Sequence, residues 1–175
     1  MIGGLGEPNA GIYGADLTRR MAQSFNGRPF ILSSPGIVKS KSLCDALKSD
    51  HQIEETLKLA ATADIALMGI GSFRDSSRIF STDIILTVKD RELLTQAGAV
   101  GDISLQFFNS NGDFIKSPLN DRIVGLTLEQ VLKIQRRIGI AGGKSKMEAI
   151  MAALKGKMVN YLITDEANAR NLLNN

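Results

Sequence analysis

The sequence predicts an α/β fold: a mostly parallel sheet covered by helices on both faces, with an antiparallel β-hairpin inserted into it. Three observations predict this. Short apolar runs alternate with amphipathic stretches of helical period along most of the chain. Several of those runs end at glycines, as strands do where they turn into the next helix. One stretch, DISLQFFNSNGDFI (102–115), sets two β-prone runs on either side of Ser110-Asn111-Gly112-Asp113, and Asn-Gly is a strong hairpin signal.

The elements follow in order. PFILSS (29–34) reads as a strand, followed by a loop and a helix through LCDALKSD. HQIEETLKLAATA (51–63) carries Ile53, Leu57 and then Leu59 to Ala61 at helical spacing. DIALMGIG (64–71) is a continuous apolar run, the pattern of a strand buried on both faces. KDRELLTQAGAVG (89–101) reads as a helix stopped by Gly98 and Gly101. After the hairpin come DRIVGL (121–126) and a short helix over 127–134 with Thr127 as its N-cap. RRIGIA (136–141) is another buried strand, SKMEAIMAALKG (145–156) a helix, VNYLIT (159–164) a strand and DEANARNLLN (165–174) a closing helix. The chain reads as one domain over 1–175, with no linker or repeat. Only one or two strand residues precede the first glycine loop, so a longer parent with more chain on the N-terminal side is expected.

Composition narrows the function. Of 175 residues, 43% are hydrophobic and 22% charged, as in an ordinary soluble domain. The formal charge is +3 with the basic residues dispersed, and there is no tryptophan. That argues against a nucleic-acid footprint or a base-stacking platform on this chain. One cysteine and one histidine are too few for a Cys/His metal site. Cys44 is expected as a small apolar residue on a helix face and His51 on the surface. No apolar run is long enough to span a bilayer and no secretory signal is visible, so a cytoplasmic location is expected.

Four glycine-rich turns follow apolar runs: Gly3-Gly4-Leu5-Gly6, Gly69-Ile70-Gly71-Ser72, Gly98 to Asp102, and Gly142-Gly143-Lys144. Each reads either as a plain turn or as part of an anion cradle at the carboxyl rim of a parallel sheet. Ser72 offers a hydroxyl, and Lys144 or Lys146 a cation. Neither nucleotide fingerprint is met: GGLGEP is not G-x-G-x-x-G, and AGGKSK lacks the first glycine of a P-loop. Asp102, after a glycine turn, and Asp165-Glu166, after a strand, are the carboxylates able to bind hydroxyls or move protons. For Asp165 the competing reading is a helix N-cap. Arg122 can hold a phosphate or pair with Asp121. No G-x-S-x-G and no Cys/His pair suggests a nucleophile.

Taken together, GIGSF (69–73), GAVGDI (98–103), the Asn-Gly hairpin, PLNDRIVGLTLEQV (118–131), IGIAGGKSKMEAIMAALKG (138–156) and LITDEANARNLL (162–173) resemble the effector-binding domain of SorC-type bacterial transcriptional regulators. IGGLG, RMAQSF and LSSPGIV fit the same pattern, so the resemblance covers nearly the whole chain. It implies a Rossmann-like fold akin to sugar-phosphate isomerases and a phosphorylated sugar as effector. It also implies a homo-oligomer, dimer or tetramer, modulated by that effector. DNA would be met only through a helix-turn-helix domain outside this chain. By resemblance, Gly3, Gly4, Leu5, Gly6, Gly71, Ser72, Asp102, Gly142, Gly143 and Lys146 are expected to bind the effector. Lys146 rather than Lys144 matches the family's lysine. No catalytic residue, metal or cofactor is expected. The first loop departs from the family where Leu5 and Glu7 stand, since neither offers a hydroxyl. The alternative reading is a sugar-phosphate isomerase or deaminase on the same fold, with Asp102 or the Asp165-Glu166 pair as acid and base.

Overall fold

The computed structural model describes residues 2–4, 14–73 and 86–174. They fall into two compact units: Met1–Thr62 with Asp121–Leu126, and Ala63–Asn120 with Thr127–Asn175.

The first unit contains helices α1 (Gly14–Ser24), α2 (Lys41–Lys48) and α3 (His51–Ala61). Ser40 caps α2 through Leu43 N–H, and Asp50 caps α3 through the N–H groups of Gln52 and Ile53. Leu32, Val38, Cys44, Ile53 and Val124 form its core, with Leu47 and Leu57 packed against them. Cys44 is buried as expected, its Sγ donating to Ile123 O at 3.3 Å, and His51 is exposed. Helix α1 was not legible in the sequence. Its Leu17 and Met21, with Phe25 just past its end, recur every four residues, yet all three are exposed and the helix buries no residue.

PFILSS does not form the expected strand. Among the described residues, pairing nearby is limited to isolated bridges, Gly4 with Pro35, Ile2 with Gly125 and Ile37 with Ile123. The segment that would extend the ladder is headed by Pro29, which lacks an N–H, and the bridge to Gly4 uses only Ser34 O and Gly36 N.

The second unit holds β1 (Ile65–Ser72), α4 (Val88–Gln96), β2 (Ala99–Ile103), β3 (Gln106–Asn109), α5 (Leu128–Lys133), β4 (Arg136–Ile140), α6 (Met147–Lys155), β5 (Tyr161–Ile163) and α7 (Glu166–Leu173). The strands form one sheet in the order β3-β2-β1-β4-β5. β1, β4 and β5 are parallel, while β2 runs antiparallel to both of its neighbours. The result is an α/β fold with a parallel core and an inserted antiparallel arm.

Two boundaries differ from the sequence reading. The helix expected over 89–101 stops at Gln96, Gly98 turns the chain at φ +72°, and residues 99–103 are strand β2. The β2–β3 connection is a second tight hairpin that carries no Asn-Gly signal. Ser104 and Leu105, at φ +53° and +63°, form its two-residue turn between paired Ile103 and Gln106. The Asn-Gly turn itself is where the sequence put it. Asn109 N–H donates to Asp113 O, Ile115 N–H to Phe107 O, and Phe108 bridges Phe114.

β1 was expected to be buried on both faces, and it is buried on one. Met68, Ile70 and Ser72 are at most 7% exposed, whereas Ile65 and Leu67 are 49% and 45% exposed. Helix α6 covers the first face. A Cβ added at Gly101, the partner of Ser72, would meet Ala149 Cβ at 2.7 Å and Phe108 at 2.9 Å. Gly101 is therefore a close-packing residue, and an alanine there would push α6 off the sheet.

Candidate functional site

The carboxyl ends of β1, β4 and β5 lie along one rim of the second unit, as expected of parallel strands. β1 ends at Gly71 and Ser72, and β4 runs into Ala141-Gly142-Gly143. β5 runs into Thr164 and Asp165, which caps α7. A 3-10 turn, Lys144–Lys146, connects the glycine pair to α6 and packs against β1.

Asp102 is the dominant polar feature. It sits on β2 directly opposite Gly71 of β1 and is 8% exposed. Its Oδ2 accepts Leu105 N–H at 3.0 Å, which closes the Ser104-Leu105 turn. Its Oδ1 lies over Gly71, at a place a side chain on residue 71 would fill. Glycine at 71 is thus the space in which the carboxylate rests. Burial pushes the Asp102 carboxyl up to about 6, opposed by the Leu105 N–H and by the positive charge of Lys146. The Lys146 backbone N–H donates to Gly143 O. Its side-chain ammonium has no hydrogen bond or ion pair to a protein acceptor among the described residues, and its positive charge acts on Asp102. A buried carboxyl with one free oxygen, within the field of an unpaired ammonium, can take hydroxyl and anionic groups of one small ligand.

The other expected residues are placed as follows. Ser72 pairs with Gly101 and points to the α6 face, opposite to Asp102. Its Oγ is sealed from solvent and has no partner among the described residues. Gly143 adopts φ +96°, which only glycine takes without strain. Its N–H donates to Asp165 Oδ2 at 2.7 Å, so this amide of the glycine pair is filled from within the protein. In the first unit, Gly3 N–H donates to Val124 O and Gly4 N–H to Ser34 O. A Cβ on Gly3 would collide with the backbone of Ser34 and Pro35. Leu5 and Gly6 lie outside the described residues.

Asp165 proves to be the α7 N-cap, its Oδ1 accepting Asn168 N–H at 3.0 Å. The N–H groups of Asn168 and Gly143 hold its carboxyl below the ordinary range. Glu166 is paired on the surface with Arg170 at 2.6 Å. Sequence reasoning missed Asn168, which is 2% exposed and whose Nδ2 reaches Gly143 O and Asp165 Oδ2. Only the cap itself was legible, because Asn168 acts by reaching Gly143, 25 residues away in sequence. Among the described residues, no group of three His, Cys, Asp or Glu could hold a metal. None of the described helices is long and apolar enough to cross a membrane.

Comparison with known proteins decides the family. The family model described as "Putative sugar-binding domain" matches residues 1–174. The chain belongs to the Sugar-bind family. Among its curated relatives, the deoxyribonucleoside regulator of Bacillus subtilis is 31% identical over 172 residues, covering 98% of this chain and 54% of that protein. The transcriptional regulator LsrR of Escherichia coli K12 is 34% identical over 145 residues, covering 82% of this chain and 46% of that protein. The crystal structure of a transcriptional regulator from Streptococcus pneumoniae superposes with a TM-score of 0.89 at 28% identity, covering 99% of this chain and 66% of that one. The Sugar-bind chain thus spans about half the length of the curated relatives it matches. The resemblance to SorC-type regulators read from the motifs holds, and so does the α/β fold it implied.

Proposed function

We propose that this Sugar-bind domain is the ligand-sensing part of a bacterial transcriptional regulator and that its effector is a phosphorylated sugar. In this reading Asp102 accepts a sugar hydroxyl through its free oxygen, and Lys146 carries the phosphate. Gly71 keeps the floor beneath them clear. The observation that carries the reading is the buried Asp102 carboxyl laid across Gly71 in the field of Lys146. Effector binding shifts the population of oligomeric states and so changes how DNA-binding domains elsewhere in the regulator meet an operator. This requires the effector to bind one state better than the other. Such a regulator works in the cytoplasm. No group in the site is proposed to be catalytic: Asp165 and Glu166 are committed to a cap and a surface ion pair, and Asp102 has no second carboxylate beside it among the groups that shift it.

Calorimetric titration of the domain with sugar phosphates and their dephosphorylated counterparts tests this. The phosphorylated form is expected to bind more tightly. Lys146→Ala is expected to weaken it by about 1.5–3 kcal/mol, the loss of a charge-assisted contact, and to leave the dephosphorylated sugar unaffected. Equal loss for both forms, or none, removes Lys146 from the phosphate.

A further inference from the structure

Both backbone polar groups of Gly143 are held by side chains of the α7 first turn. Its N–H donates to Asp165 Oδ2 at 2.7 Å, and its carbonyl accepts Asn168 Nδ2 at 3.1 Å. The same carbonyl accepts Lys146 N–H at 3.0 Å, the bond that closes the 3-10 turn carrying that lysine. The two α7 side chains are locked to each other as well, Asn168 Nδ2 donating to Asp165 Oδ2 at 2.8 Å. Gly143 itself sits at φ +96°, a conformation that glycine visits but does not prefer uniquely, so something must select it. Asn168, 2% exposed, is buried in order to do so.

We propose that Asp165 and Asn168 are positioning residues: together they clamp the Gly143 peptide and thereby fix the turn that holds Lys146 near the Asp102 carboxyl. The carboxylate on Gly143 N–H also denies that amide to a ligand anion. The last helix of the chain is in this way part of the effector site without lining it. The effect on affinity rests on the sugar-phosphate reading above, whereas the clamp itself can be read without any ligand.

Asp165→Asn separates the clamp from the cap. Asparagine caps helices as well as aspartate does, so Oδ1 continues to serve Asn168 N–H. The amide nitrogen then replaces Oδ2 and presents a donor to the Gly143 N–H, which breaks the clamp. The ligand-free readout is the Asp102 carboxyl titration followed by carbon-13 NMR in the full 175-residue chain. Lys146→Ala is expected to move the Asp102 midpoint upward, Asp165→Asn to move it in the same direction, and the double variant to move it no further than Lys146→Ala alone. Asn168→Ala is expected to act as Asp165→Asn does. The second readout is affinity for a sugar phosphate, expected to fall about fivefold in Asp165→Asn and not to fall further in the Lys146→Ala background. An Asp102 midpoint unmoved by Asp165→Asn, or moved additively with Lys146→Ala, overturns the proposal. If the wild-type chain binds no sugar phosphate, the effector reading fails, and the titration alone still decides the clamp.

Discussion

Asp102, the carboxylate of the proposed effector site, is buried at a cost to the fold. Its carboxyl rises from 3.8 to about 6 because burial outweighs the Leu105 N–H and the Lys146 charge. A carboxyl raised in the folded state holds its proton there while the unfolded chain has already lost its own. Stability from this group is therefore greatest below pH 4, falls as pH rises from about 4 to 6, and stays low above that. The difference at neutral pH is on the order of 3 kcal/mol against the fold. Asp102→Asn keeps an oxygen for Leu105 N–H and removes the charge. Denaturant unfolding at pH 7 is expected to show a more stable variant, with the gap closing at pH 4, while affinity for the effector falls. A variant less stable than wild type at pH 7 would mean that the carboxylate is paired in the fold. The sequence made Asp102 visible as a carboxylate between a glycine turn and an apolar strand. It did not reveal that Gly71 makes room for it, because cross-strand register is a tertiary property.

At the scale of elements, the local signals were legible where they were chemical and illegible where they were geometric. Thr127 and Asp165, read from the sequence as caps, stand where their helices begin. The Asn-Gly turn forms at 111–112. The Ser104-Leu105 hairpin was hidden because both residues adopt positive φ without the glycine or asparagine that advertises it. Its conformation is imposed by Asp102 and by the register of β2 on β3. The Asn-Gly turn has a second role. At φ +86°, Gly112 packs backbone to backbone on Gly156, where α6 ends, so that an added Cβ would also strike Ala152 O at 2.6 Å. Gly112→Ala combines a strained φ with a clash against backbone that cannot retreat. It is expected to destabilise the domain by about 2–4 kcal/mol in chemical denaturation. A cost below about 0.5 kcal/mol would show that the turn tip is not seated on α6.

For the whole molecule, the alternation of strand and helix was enough to predict the fold class, and the chain proved to be a Sugar-bind domain. The sheet of the second unit explains why the strand burial was misread. Sequence runs such as DIALMGIG are apolar on both faces, yet Ile65, Leu67, Ile140, Tyr161 and Ile163 remain exposed in these 175 residues. An apolar pattern records what a strand is fit to touch, and only the structure records what touches it. The candidate site was legible in part for a similar reason. Glycine loops suggested anion cradles, but some of their amides are filled from within each unit: Gly3 and Gly4 in the first and Gly143 in the second donate to protein acceptors. The side chains proposed to meet a ligand, Asp102 and Lys146, stand on different elements that only folding brings together.

The central claim is that a phosphorylated sugar is a signal for this domain and not a substrate. It is tested most directly by incubating the chain with a panel of sugar phosphates while recording thermal stabilisation and product formation together. At a hundredfold excess over the dissociation constant, the true effector is expected to stabilise the fold by about 2.7 kcal/mol with no product formed. A flat panel, or conversion of the stabilising compound at enzyme-like rates, would contradict the account.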